Sequence, residues 1–362
     1  MTNLIHTNLF SNHFTTLLLK WNNQKNTRTM PWKGEKDPYK IWLSEIILQQ
    51  TRVEQGLIYY KKFIYNFPTI TVLAQTPENK IFKLWEGLGY YSRCRNLIAT
   101  AKHIAFEKNG VFPSSYEDII KLKGIGTYTA AAIASFAFNL PFAVLDGNVY
   151  RVLARVFGIV TPIDEPAGKK EFTLMAQSLL YKKNPGEYNQ AIMDFGATVC
   201  KPQTPLCTTC VFQKNCMAYK LGRVKDLPVK AKKIQVKTRF FYFFIVEYNN
   251  AWAIQERVAK DIWQHLYQFP LIEVEKPQPY TKIIPIAIKQ GWLQKSDSIQ
   301  SYSDVITQKL THQTIKAVFV HVKPQKKPEL GLLYKWVKKR NMKEIAFPKI
   351  INDFYGNSFL AD

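Results

Sequence analysis

Acidic residues are scarce in this chain: 27 Asp and Glu stand against 50 Lys and Arg over 362 residues, leaving a formal charge of +23. Such an excess points to a polyanionic partner, because lysine and arginine neutralise phosphates and release their counterions. A lysine-rich proteome is the bland alternative. An anionic membrane surface would usually come with a basic amphipathic helix as well, and no apolar run reaches the roughly 18 residues of a bilayer span, so a transmembrane helix is excluded. The N-terminal MTNLIHTNLFSNHF lacks a basic segment leading into an apolar stretch and so does not resemble an export signal; the expectation is a cytoplasmic protein. Internal repeats and low-complexity segments are missing too. Cysteine is nearly absent outside one short segment, Cys94 being the single exception, so a disulfide framework is not expected.

That segment holds Cys200, Cys207, Cys210 and Cys216 in the spacing C-x6-C-x2-C-x5-C. Four thiolates on one tight loop converge on a soft metal centre. An iron-sulfur cluster is the first reading, a structural zinc the second and disulfides the third. Cys94 reads as a buried free thiol.

The 46% of apolar residues supports well-buried cores, and the length suggests two or three domains. Residues 1–222 read as helices separated by Gly and Pro breaks. Asp37-Pro38 supplies a cap and a first-turn proline for a long helix that Pro68 ends; further helices follow Thr76-Pro77, Tyr90-Tyr91, Pro113-Ser114, Gly126 and Asp146. Residues 223–238 read as a basic linker with almost nothing bulky to bury, either a solvated tether or a strip that lies along phosphates. From residue 239 to 362 strand-like runs appear, RFFYFFIVEY and AWAIQER flanking Asn249-Asn250 as a hairpin, and predict a mixed α/β domain.

Four residues in the helical half could carry chemistry. Gly124 and Gly126 stand two apart between helices, which serves either a simple turn or close approach of a partner to exposed amides. Asp146 precedes a helix as an N-cap, and the amide bonds and helix dipole there would also hold a carboxylate ionised beside a positive sugar. Glu45 lies among Ile41, Trp42 and Leu48, so it is either a salt-bridge partner or a buried acid with a raised pKa, able to donate a proton near neutrality.

The ordered set SEIILQQT, GLGYYSRCRNL, LKGIGTYTAAAI, VLDGNVYRVLARV and NQAIMDFGATVC with the four cysteines resembles the helix-hairpin-helix DNA glycosylases, most closely their adenine DNA glycosylase branch, the MutY type. The match is strong from about residue 30 to 216. It implies an all-α N-terminal glycosylase domain with the helix-hairpin-helix at about 113–135 and an iron-sulfur loop at 200–216 holding a [4Fe-4S] cluster, followed by a mixed α/β Nudix-like domain. The implied partner is double-stranded DNA bearing adenine opposite 8-oxoguanine or guanine, bound by a monomer. Glu45 would protonate the flipped adenine and assist attack by water, Asp146 would stabilise the oxocarbenium sugar, and Tyr128 would support Asp146. One protonated and one ionised carboxyl in different environments suit that chemistry. Relatives that nick DNA through a Schiff base have lysine at the position of Tyr128, so a monofunctional glycosylase is expected.

The resemblance also implies that Gln50 and Tyr90 enter the base stack, that Thr51 and Asn148 bond nearby, and that Trp32, Lys33 and Gln190 line the adenine pocket. Some relatives carry Glu at the Gln190 position and Arg at that of Lys33, a departure that concerns adenine recognition. In the second domain Thr311 and His312 occupy the place of an F-S-H loop and are candidates for contact with 8-oxoguanine; an ordinary turn is the other reading. Asp261 and Gln264 replace glycines of the family pattern, and the carboxylate cluster of a working Nudix hydrolase is missing. Two alternatives remain: an endonuclease III-like glycosylase/lyase, disfavoured by Tyr128 and the second domain, and a non-catalytic iron-sulfur DNA-binding protein, which would need neither Glu45 nor Asp146.

Overall fold

A computed structural model describes residues 2–231 and 236–358. The chain divides into two compact units, Met1–Gln75 with Asn96–Lys233, and Thr76–Arg95 with Ile234–Asp362. A single boundary near residue 222 therefore does not describe the division. The Thr76–Arg95 segment joins the second unit through local bonds: Lys83 Nζ donates to the Ile345 carbonyl at 2.9 Å, the Phe347 amide to Glu86 at 2.8 Å, and Arg95 to the Gln264 carbonyl at 3.2 Å.

In the first unit the helix Pro38–Leu48 starts on Asp37, whose carboxylate accepts from the Tyr39 amide at 2.9 Å. The single long helix expected up to Pro68 is broken. Gln50 adopts φ 59°, the Thr51 amide bonds back to the Leu48 carbonyl, and a second helix runs over Val53–Asn66. An α-helix cannot continue through a left-handed residue. Further on, the short Tyr116–Ile119 helix turns through Gly124 into the Thr127–Phe138 helix, which Gly126 caps. Asp146 caps Gly147–Phe157, and Pro166–Leu179 and Pro185–Thr198 follow. Their apolar faces meet in one core, where Phe14 stacks on Phe212 at 4.6 Å and Phe195 meets Phe212 edge-on.

The presumed linker corrects a second expectation. Leu227 is 3% exposed, and with Val224 and Val229 it packs on this core. Arg155 Nε donates to the Leu227 carbonyl at 3.1 Å, and the Ile163 amide to that of Val229 at 3.0 Å. Three apolar side chains spaced among the lysines suffice to dock the segment. Residues 232–235 of the linker lie outside the described residues, and Lys237 and Thr238 already belong to a strand.

The second unit is the mixed α/β domain that the strand-like runs predict. Its central strand, Lys237–Tyr248, runs parallel to Gln313–Val322 over ten residues and antiparallel to Leu271–Val274 and Ala251–Glu256. The hairpin turn sits on Asn249 and Asn250 at φ 47° and 56°, the left-handed pair that a two-residue primed turn demands. The helix Tyr280–Lys289 covers one face, contributing Ile283 and Ala287 to a core with Phe244, Val320 and Trp292. No helix among the described residues is long and apolar enough to cross a membrane.

Candidate active site

Glu45 projects from the Pro38–Leu48 helix and is 7% exposed. It forms no ion pair among the described residues, which disposes of the salt-bridge reading. Burial pushes its carboxyl up to about 7, against a lowering bond from Tyr128 and with a raising contribution from the charge of Asp146. Few carboxyls retain their proton near neutrality, and desolvation is the cause here. The Tyr128 hydroxyl donates to Met193 Sδ at 3.5 Å, and burial beside the charges of Glu45 and Asp146 raises its pKa well above the ordinary range.

Asp146 accepts from the Val149 amide at 2.8 Å and from Asn148 Nδ2 at 2.6 Å. Its carboxyl is nevertheless raised: burial outweighs the lowering bonds from Val149 and Asn148 and the charge of Arg151. The cap bonds thus oppose protonation without overcoming desolvation, where the sequence suggested that they would prevail. Asn148 in turn accepts from Arg151 Nη2 at 2.9 Å, and Arg151 reaches the Gly196 carbonyl at 2.7 Å. Gly196 presses on Asn148 so closely that an added Cβ would lie 2.6 Å from the Asn148 Cβ. Asn148 is consequently a brace for Asp146.

A cleft of about 280 Å³ opens beside Glu45, lined by Trp32, Lys33, Ile41, Ser44, Phe136 and Gln190 among others. Trp32 meets Tyr60 edge-on at 5.4 Å. The structure therefore gathers Glu45, Trp32, Lys33 and Gln190 at one opening, while Tyr128 and Asp146 are not among the residues that line it. Gln50 and Thr51 form the break between the first two helices of this site, and a left-handed glutamine there is a strained conformation of the kind that clusters at functional sites. Gly124 and Gly126 differ. At φ 80° and with Asn96 Cβ 2.6 Å from any added Cβ, Gly124 is demanded by the fold; Gly126 has open space at that point and no positive φ.

The four cysteines line a single small cavity with Arg155, Leu206, Tyr219 and Val224. Arg155, 3% exposed, donates to Cys200 Sγ at 3.5 Å and to the Lys201 and Pro202 carbonyls, and its own carbonyl accepts from Cys216. Burial pushes Cys210 up to about 12. Among the described residues no three His, Cys, Asp or Glu side chains group tightly enough to hold one bare ion. Cys94 is fully buried elsewhere, and desolvation raises its thiol well above the ordinary range, as an inert core cysteine requires.

In the second unit Tyr90, at φ 48° and 42% exposed, hydrogen-bonds Thr311 through their two hydroxyls. Thr311 and His312, with Leu310, form the connection between Ile306–Lys309 and Gln313–Val322. With Arg95, Trp263 and Lys349 they line a cavity of about 530 Å³. Asp261, one of the two departures from the family glycines, is held bidentately by Arg239, which also grips Glu273. Sequence reasoning missed three residues. Arg151 and Arg155 are buried braces, and Asp194 is a buried carboxylate behind the cleft; the one trace of Asp194 in the sequence is its place one helical turn after Gln190.

Helical scaffold, glycine hairpin and the Glu45 and Asp146 carboxyls together define the class of fold to which base-excision-repair proteins belong. A family model described as HhH-GPD superfamily base excision DNA repair protein matches residues 43–175, and a NUDIX domain model matches residues 241–355. An adenine DNA glycosylase of Buchnera aphidicola subsp. Schizaphis graminum (strain Sg) is 34% identical over 343 residues, covering 93% of this chain and 96% of the relative. The chain belongs to the adenine DNA glycosylase family. Among solved structures, a thermostable thymine-DNA glycosylase matches with a TM-score of 0.55 at 29% identity, covering 59% of this chain and 99% of that one. A non-covalent endonuclease III–DNA complex shares the fold with a TM-score of 0.51 at 20% identity, covering 59% and 97%.

Proposed function

We propose that the protein hydrolyses the N-glycosidic bond of adenine paired with 8-oxoguanine or guanine in duplex DNA, acting as a monomer in the cytoplasm and leaving the strand intact. The observation that carries this reading is the pair Glu45 and Asp146, electrostatically coupled, with Glu45 buried at the wall of a cleft of about 280 Å³ and Asp146 half-buried. Protonated Glu45 donates to a ring nitrogen of the flipped adenine. The bond from C1′ to the base then breaks, its electron pair leaving with the base, and the cationic sugar is stabilised by the Asp146 carboxylate under the hold of Val149 and Asn148. Glu45, now ionised, takes a proton from the water that adds to C1′, which restores the acid. Tyr128, where a lyase needs lysine, offers no amine for a Schiff base.

The open space at Gly126 and the amides of the Thr127–Phe138 helix suit a DNA phosphate, and Lys214 and Lys220 are exposed beside the cysteine loop. The cavity of Tyr90, Thr311 and His312 suits the reading of the oxidised guanine. Cys200, Cys207, Cys210 and Cys216 would hold a [4Fe-4S] cluster: an all-sulfur donor set round one apolar cavity fits a cluster that interposes its own metals and sulfides between thiolates spaced too widely for a bare ion. When bound, the cluster supplies cross-linking of the loop rather than a step on the substrate.

The test is a duplex with one adenine opposite 8-oxoguanine, incubated with the protein and then treated with alkali. Breakage at the adenine only after alkali is expected. Absence of breakage refutes the glycosylase reading, and breakage before alkali refutes its monofunctional form.

A further inference from the structure

Asp194 has no part in the acid and anion pair, yet its carboxylate is fully buried and receives four donors. Arg28 Nη1 and Gln190 Nε2 bond Oδ1, each at 2.9 Å; Asn26 Nδ2 bonds Oδ2 at 2.9 Å and Lys33 Nζ at 3.1 Å. Two of those partners, Lys33 and Gln190, line the cleft beside Glu45. A carboxylate only accepts, so the Gln190 amide has one compatible orientation, its NH2 toward Asp194 and its carbonyl Oε1 turned away. Gln190 precedes Asp194 by one turn of the Pro185–Thr198 helix, and that spacing keeps the pair in register. None of the described residues donates to Oε1. Lys33 is likewise committed, to Asp194 and to the Arg28 carbonyl at 3.1 Å.

We infer that Asp194 is a positioning residue for base selection: by fixing the Gln190 amide it presents a hydrogen-bond acceptor to the cleft and favours a purine with an amino group at C6 over one with a carbonyl there. The inference rests on the reading that this cleft holds the flipped adenine. The 6-amino group of adenine donates to Oε1. Hypoxanthine sets an oxygen at the same place, so that two acceptors face each other and both go unpaired in a desolvated site. Without Asp194 the amide turns over about its terminal torsion, whose two faces are nearly equivalent, and offers its NH2 to the carbonyl instead.

The experiment compares single-turnover excision of adenine, hypoxanthine and unsubstituted purine, each opposite 8-oxoguanine. Asp194→Asn and Gln190→Ala are each expected to lower the adenine-to-hypoxanthine rate ratio about tenfold, while Asp194→Asn, at a residue outside the cleft lining, changes excision of unsubstituted purine by less than about threefold. Asp194→Glu, still an acceptor, retains the ratio, and the double variant loses no more than the single ones, as expected for two residues acting as one unit. Parallel slowing of all three bases means that Asp194 merely holds the fold, and it overturns the inference. Should Asp194→Asn fail to fold, Gln190→Ala decides: an unchanged ratio overturns the inference alone. Failure of the wild-type protein to excise adenine overturns the underlying reading as well.

Discussion

Burial sets the chemistry of single residues here, and Glu45 bears most of it. Its folded pKa of about 7 lies above the ordinary 4.5. The folded state thus keeps a proton that the unfolded chain releases between those values, and stability is greatest below pH 4.5 and declines as pH rises toward 7. Glu45→Gln removes that dependence. The variant should be more stable than wild type by about 3 kcal/mol at pH 8 and equally stable at pH 4.5, which denaturant unfolding at the two pH values measures. Its excision rate should fall by about 10² or more with DNA binding retained, and loss of binding would make Glu45 structural. Because the Tyr128 bond lowers Glu45, Tyr128→Phe should raise the Glu45 pKa and move the alkaline limb of the pH–rate profile to higher pH; a shift to lower pH contradicts the pairing. Glu45 was legible in the sequence as an acid on an apolar helix face, and Asp146 as a cap. Asp194 was not, because an aspartate in mid-helix reads as a solvated face until the chain around Asn26 to Lys33 folds over it.

Among the elements, breaks and turns were less legible than helices. The helix over 38–48 and the Asn249-Asn250 hairpin follow from cap and turn chemistry, but nothing in SEIILQQTRVEQ announces the left-handed Gln50 that ends the first of two helices. The glycine hairpin yields a sharp contrast. Gly124→Ala meets both positive φ and the Asn96 side chain and should cost about 1–3 kcal/mol. Gly126→Ala meets neither and should cost under about 1 kcal/mol, the difference between glycine and alanine at a cap, while weakening duplex binding if DNA backbone closes on that amide. Thermal unfolding and binding isotherms of the two variants separate fold from contact; equal losses of stability would contradict the contrast. Leu227 supplies a test of the docked segment. A solvated tether would tolerate Leu227→Ala, whereas a leucine 3% exposed in the core should cost about 2–4 kcal/mol.

For the molecule as a whole, charge and recognition have different sources. On the proposed function, the excess of +23 supplies phosphate contacts that are blind to sequence, and these set affinity and its steep fall with salt. On the same proposed function, choice between guanine and 8-oxoguanine comes from groups that touch base edges, and the Tyr90, Thr311 and His312 cavity lies in a different compact unit from Glu45 and Asp146. Tyr90 and Thr311 stand 221 residues apart in sequence and bond within that one unit, a proximity no local pattern could reveal. Replacing Thr311 and His312 together by alanine leaves the acid, the anion and the basic surface in place. The preference for adenine opposite 8-oxoguanine over adenine opposite guanine should then fall about tenfold, the worth of a lost hydrogen bond to a base edge, while adenine excision opposite guanine changes by less than about threefold and the salt dependence of binding stays constant. Single-turnover rates on the two duplexes at fixed salt measure the first two, and binding isotherms across a salt series the third. If both rates fall in step, the second unit supports catalysis rather than choice, and the division of labour between the units is refuted.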